Sequence, residues 1–239
     1  MTTHTTALIT GATQGLGAET AARLAELGWT VWLGARDAAR GDAVAKEISG
    51  ARPHADVRVV RLDVTSEESV AAAYDAVVAA GTGLDVLVNN AGISGTRALP
   101  ADTATADFLP VFGVNLLGPV RVTNVFLPLL LRSGRPRLVM VSSGMGSFGI
   151  TQDRSRLEST LWGIVYPSSK AALNMVTTMY AKSLPDVRVT AVDPGYTATN
   201  LNGFSGTQTV AEGAEPIVEA CVAEELPGGF IGRSGVLPW

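Results

Sequence analysis

Cysteine and histidine are nearly missing from this chain of 239 residues, which holds one cysteine, Cys221, and two histidines, His4 and His54. A single cysteine excludes an internal disulfide and fits a reducing compartment. Neither histidine stands near cysteines or carboxylates at ligand spacing, so no metal site is expected and both read as surface residues. Cys221 lies in IVEACVAEEL at helical apolar spacing and reads as core packing. Charge is scarce as well: 17% of residues are charged and the net charge is -4, which leaves no basic surface for nucleic acid. The opening MTTHTTALIT lacks the basic region and apolar stretch of a secretory signal. No segment reads as an unbroken apolar run of bilayer length. These absences predict a cytoplasmic protein whose partners are small molecules, with no nucleic acid and no membrane.

What is present is apolar volume in an alternating order. Hydrophobic residues make up 46% of the chain, enough for one large core. Short apolar runs (TALIT, TVWLGA, VRVVRLDV, LDVLVNN, RLVMVSS, VRVTAVDPG) alternate with longer helical patterns such as GLGAETAARLAELG and EESVAAAYDAVVAAG. Strand-length runs that are apolar on both sides imply a parallel sheet covered by crossover helices. The expected fold is therefore a single α/β domain over residues 1–239, a doubly wound parallel sheet with helices on both faces. Ligands in such sheets bind beyond the carboxyl ends of the strands.

The chemistry-bearing stretches all fall at such ends. TGATQGLG follows the first run and opens a helix, so Gly11, Gly15 and Gly17 would let the backbone turn and approach a pyrophosphate beside Thr13, Gln14 and Leu16. The bland alternative is a set of ordinary turn glycines, since the spacing is not GxGxxG. After the second run, Ala35 stands where an acid would hold the ribose 2′-hydroxyl of NAD, and Arg36 follows, suited to the 2′-phosphate of NADP. Asp37 reads as a cap for the next helix. Asp63 and Val64 end the third run and Asn89, Ala91 and Gly92 the fourth, places that suit contacts to the adenine and to the cofactor backbone. Asp63 also fits a helix cap ahead of TSEES. The first 95 residues thus read as mainly cofactor-binding.

YPSSK places Tyr166 and Lys170 four apart on a helix, hence on one face. A phenol is too weak an acid to exchange its proton easily at neutral pH, and a nearby ammonium favours the phenolate. The pair reads as a tunable acid and base.

TGATQGLG, VNNAG, FGVNLLG, VMVSSGMG, YPSSK and DPGYTAT occur in this order, and together they resemble the short-chain dehydrogenase/reductase family over nearly the whole chain. The resemblance implies a Rossmann-type fold, an NADP or NAD cofactor, and a carbonyl reductase-like activity. It implies four catalytic residues: Asn115 holding a water of the proton relay, Ser143, Tyr166 as proton donor, and Lys170 lowering the tyrosine pKa and holding the nicotinamide ribose. Ser143 is preferred to Ser142 because the family glycine stands three after its serine, as Gly146 does. Pro194, Gly195, Thr197 and Thr199 fall at the family's nicotinamide contacts.

The function so implied is NADPH-dependent reduction of a ketone or aldehyde. An NAD-linked alcohol dehydrogenase running in the opposite direction and a non-catalytic nucleotide-binding redox sensor are the competing readings; loss of Ser143, Tyr166 or Lys170 would favour the sensor, and none is lost. The interval from Ser143 to Tyr166 exceeds the family's usual one, and residues 144–165 read as an insertion. Asp153, Arg154, Arg156 and Glu158 suggest a solvated short helix with Leu157, Leu161 and Trp162 on its apolar side. It is either a surface loop or a wall of the substrate pocket. The insertion is shorter than the one that marks monomeric family members, so monomer, homodimer and homotetramer all stay open. Residues 199–209 are expected to form a mobile lid, with Gly203 and Gly206 supplying flexibility. Ser94, Gly144, Trp162, Tyr196 and Phe204 are expected to line a mostly apolar pocket.

Overall fold

Parallel strands buried on both faces organise the computed structural model, which describes residues 5–52, 54–224 and 228–239; the surface assignment of His4 lies outside the described residues. The strands β1 (Thr6–Thr10), β2 (Thr30–Ala35), β3 (Asp56–Arg61), β4 (Val86–Asn89), β5 (Arg137–Val141), β6 (Arg188–Asp193), β7 (Gly229–Gly232) and β8 (Gly235–Val236) form one sheet. Its order is β3-β2-β1-β4-β5-β6-β7-β8, parallel throughout except for the antiparallel β7 and β8 pair. The order reverses between β1 and β4, which opens a crevice at their carboxyl ends.

Alternation along each strand sends side chains to two separate cores. Ala7, Ile9, Val31, Leu33, Val86, Val88 and Val139 meet α1 (Gly15–Glu26) and α8 (Val210–Val222) through Leu24, Ile217 and Cys221. Leu8, Leu87, Leu138 and Met140 meet the opposite layer through Val70 and Val77 of α3 (Glu67–Ala79), Phe126 of α5 (Gly118–Leu130) and Leu173 of α7 (Val165–Ser183). Each such Leu, Ile or Val contributes about 1.5–3 kcal/mol when fully buried. Asp37 does cap the next helix, α2 (Ala38–Ala51), by accepting from the N–H groups of Ala39 and Arg40 at 3.0 and 3.3 Å.

The long helical pattern after β4 resolves into α4 (Phe108–Phe112), a wide π turn at Gly113–Leu117, and α5. Pro119 has no N–H to give the carbonyl of Asn115, and the regular helix ladder is interrupted just there. Thr105–Leu130, 26 residues with a mean hydropathy of 1.2, is long and apolar enough by composition to cross a bilayer. Pro110, Asn115, Pro119 and Arg121 break the run in the sequence, so no unbroken stretch is visible there. In the fold Val111, Val122, Phe126 and Leu130 of this segment are buried in the protein.

Candidate active site

A cavity of about 700 Å³ opens along the carboxyl edge of the sheet, and most of the residues singled out from the sequence line it. The loop after β1 forms one end. Gly11 has φ +65, and a methyl group there would lie 2.9 Å from the Cα of Ala91, so only glycine lets the two loops touch. At Gly17 the same methyl would lie 2.5 Å from the side-chain nitrogen of Asn90. The α1 amino end has Gln14 as its cap residue without a side-chain bond, and Gln14, Gly15, Leu16 and Gly17 all face the cavity together with Thr13. Uncapped N–H groups and the helix dipole at that end suit a phosphate. This cradle fits a dinucleotide.

Arg36 lines the same end, and so does Arg40, whose guanidinium donates to the Gln14 side chain at 3.1 Å. Arg40 escaped the sequence reading; its signal was the four-residue spacing from Arg36 across the Asp37 cap, which brings both cations to one side of the first turn of α2. Asp63 and Val64 line the cavity as well. Asp63 accepts from the N–H and hydroxyl of Thr65, and these bonds hold its carboxyl below the usual range. It closes a turn and does not cap the helix, whose cap is Ser66.

Asn89 is a correction. It is buried, and its amide donates to Thr123 at 3.0 Å and approaches the Met140 sulfur, away from the cavity. The strand period sends Asn89 to the side of Leu87, into the α5 layer. Asn90, one residue on, is the cavity residue: its side chain donates to the Thr10 and Gly11 carbonyls at 2.8 and 3.3 Å. Ala91 and Gly92 follow along the wall, and Pro194, Gly195, Thr197 and Thr199 face them from beyond β6.

Tyr166, Lys170 and Ser143 meet at the centre. Ser143 follows β5, caps the turn Gly144–Gly146 by accepting from the Met145 N–H at 3.2 Å, and lines the cavity beside Tyr166, whose phenol its hydroxyl pulls toward ionisation. Ser142 turns away and donates to Asn174 at 2.5 Å. Burial pushes the Tyr166 phenol up to about 12, against the Ser143 hydrogen bond, so at neutral pH it is a proton donor. Burial also brings Lys170 down to about 8, while Asp193 acts in the opposite sense. Its ammonium lies 5.7 Å from the centre of the Tyr166 ring and donates to the Val141 carbonyl at 2.8 Å. Asn115 sits behind the wall in the π turn, fully buried and off the cavity. Its amide is spent on the Ile93 carbonyl at 2.9 Å and Ser169 at 3.0 Å, and its oxygen accepts from the Ile93 N–H at 2.9 Å. It ties the β4 loop to α7, one helical position from Lys170.

The insertion differs from its expected form. Its helix is α6 (Phe148–Gln152), earlier than predicted; Asp153 accepts from the N–H and hydroxyl of Ser155 and so makes a turn, after which Leu157–Thr160 forms one 3-10 turn. Leu161 and Trp162 line the cavity and Leu157 does not. Gly144 is not on the cavity either, whereas Ser94, Tyr196 and Phe204 are. The segment 199–209 is tied to the strand end: the Ala198 N–H donates to the Gln208 carbonyl at 2.8 Å and the Gln208 N–H to the Tyr196 carbonyl at 3.0 Å, Asn202 donates to the Thr197 carbonyl at 2.8 Å, and Tyr196 and Ser205 share a hydroxyl bond of 2.7 Å. Gly206 serves close packing here, since a methyl on it would lie 2.2 Å from the Ala198 nitrogen. The expectation that it supplies flexibility is corrected.

Two hydroxyl donors side by side, backed by an ammonium and opening on a dinucleotide-shaped cradle, can stabilise an oxyanion and deliver a proton. The family model for short chain dehydrogenases matches residues 5–209. The chain is 35% identical over 233 residues to the short-chain dehydrogenase anuI of Penicillium roqueforti, covering 95% of this chain and 91% of that one. It is 31% identical to (-)-isopiperitenone reductase of Mentha piperita, covering 93% and 94%. Among solved structures, an NADPH-bound carbonyl reductase from chicken fatty liver superposes with a TM-score of 0.85 at 25% identity, covering 99% of each chain.

Proposed function

The chain belongs to the short-chain dehydrogenase family of oxidoreductases, and from that premise we propose that it is a cytoplasmic NADPH-dependent reductase that converts a ketone or aldehyde to the alcohol. The observation that carries this reading is that Ser143, Tyr166 and Lys170 line one wall of the cavity, with burial holding the phenol in its protonated form. A nicotinamide coenzyme bound in the cradle would supply the hydride. Ser143 and Tyr166 donate hydrogen bonds to the carbonyl oxygen, where negative charge develops. Tyr166 then releases its proton to that oxygen, and Lys170, one turn along the same helix, stabilises the phenolate left behind. Gly11, Gly15 and Gly17 hold the coenzyme's phosphates close to α1. Pro194, Gly195, Thr197 and Thr199 form the wall on the nicotinamide side. Arg36 and Arg40, with Ala35 in place of an acid at the end of β2, favour the 2′-phosphate of NADP over the free ribose of NAD. Leu161, Trp162 and Phe204 give the substrate end an apolar character.

Two experiments test this. In a screen of ketones and aldehydes that follows NADPH oxidation, Tyr166→Phe loses turnover on any substrate that the wild type reduces; near-wild-type turnover by that variant overturns the acid role. In coenzyme titrations, Arg36→Ala and Arg40→Ala each weaken NADPH binding by about tenfold or more, the worth of a charge-assisted hydrogen bond, and leave NADH nearly unchanged. Equal loss for both coenzymes, or NADH bound as tightly as NADPH by the wild type, overturns the cofactor assignment.

A further inference from the structure

Asp193, the last residue of β6, is a buried carboxylate that neither the glycine cradle nor the tyrosine and lysine pair accounts for. Along β6, Val189 faces the layer that carries α7 and Val192 the layer of α1 and α8, so the strand period turns Asp193 beneath α7. Lys170 reaches out of α7 to the Val141 carbonyl, and Val141 is paired in register with Val192, the neighbour of Asp193. The Asp193 carboxylate accepts the Gly195 N–H at 3.0 Å, and the Gly144 N–H beside it also favours the ionised form. On its far side, Asp193 Oδ2 and Glu158 Oε1 lie 3.1 and 2.8 Å from the point where a Gly144 β-carbon would stand, and Arg156 pairs with Glu158 at 3.7 Å. The charged and titratable groups facing Asp193 are thus Lys170 and Tyr166 from α7 and Glu158 and Arg156 from the insertion.

We propose that Asp193 is a positioning residue of this site: its buried carboxylate is the counter-charge that keeps Lys170 an ammonium, and its two backbone bonds lock the Ser143 turn to the Pro194 turn. An ammonium with no opposite charge in an apolar site gives up its proton. Lys170 has only the Val141 carbonyl as a hydrogen-bond partner among the described residues, and Asp193 opposes the effect of its burial. Burial and Glu158 push the Asp193 carboxyl above its usual range, while the Gly195 and Gly144 N–H groups and Arg156 pull it back. To act as the counter-charge it must stay ionised against that rise, with the Gly195 N–H bond and the ammonium on α7 as the favourable partners. The carboxylate also connects the insertion to the chemistry, since Glu158 and Arg156 reach Lys170 only through it.

This inference rests on the acid and base reading of Tyr166 and Lys170, and its test uses no turnover, so the two fail separately. The chain has three lysines, Lys46, Lys170 and Lys182. Protein labelled with ¹³C-lysine therefore gives three side-chain titrations by NMR, and Lys170→Met identifies the one of interest. Asp193→Asn keeps an acceptor for both N–H groups and removes the charge. The Lys170 midpoint moves down by about one unit or more, the effect of losing a nearby opposite charge in a buried site, and Lys46 and Lys182 stay in place. An unmoved Lys170 midpoint overturns the proposal, because a purely structural Asp193 would leave it where it was. A second measurement needs no substitution. The Asp193 carboxyl carbon in wild-type protein keeps its carboxylate shift from about pH 6 to 9; a shift of the protonated acid in that range overturns the proposal.

Discussion

Gly146 is the residue against which α7 is seated, and replacing it by alanine tests whether the catalytic geometry depends on that seat. A β-carbon on Gly146 would lie 2.6 Å from the Lys170 carbonyl carbon and 2.8 Å from the Ala171 nitrogen. Ordinary contacts lie at about 3.5–4.0 Å. Both neighbours are backbone atoms of α7 in the turn that follows Tyr166, so no side-chain rotation relieves the overlap. The helix must move from the Ser143 turn by nearly the whole difference, on the order of 1 Å. Such overpacking costs about 1–3 kcal/mol. For a chain of this size that lowers Tm by on the order of 5 °C. The same displacement separates Tyr166 from Ser143, and a misplacement of about 1 Å costs about a hundredfold in kcat/KM. Thermal unfolding measures the first quantity, and NADPH oxidation with a screened carbonyl substrate the second. Gly146→Ala with wild-type Tm and turnover within twofold of wild type refutes the reasoning. Lower Tm with intact turnover refutes only its catalytic half.

The titration of the central pair sets a pH dependence. Burial depresses Lys170 to about 8, so its ammonium is present below that pH and lost above it, whereas the phenol at about 12 keeps its proton throughout. The kcat/KM for carbonyl reduction therefore falls on the alkaline side with a midpoint near 8, and a flat profile to about pH 10 refutes the assignment. Cys221 is fully buried and its thiol is pushed up to about 12, so an aromatic disulfide reagent reacts with the native protein no faster than the protein opens. Rapid stoichiometric labelling without denaturant would place that thiol at the surface.

Much was legible in the sequence by itself, for a physical reason. Strand runs with consecutive apolar residues through their middle, such as TALIT and RLVMV, have only one way to be buried on both faces, and glycines or carboxylates at their ends mark the turns. The doubly wound sheet, the cradle at Gly11 to Gly17, the Asp37 cap and the meeting of Ser143 with Tyr166 follow from local pattern and from order along the chain. Only the tertiary structure decided which of two adjacent asparagines faces the cavity, because the phase of β4 against Met140 turns Asn89 inward and leaves Asn90 free to bridge to Gly11. It also decided that burial raises the phenol against the pull of Ser143, and that Gly206 serves close packing. It brought Asp193 and Glu158 together across Gly144. Spacing along a chain records what lies on one face of one element; the burial of a group and its charged neighbours on other elements exist only once those elements have packed.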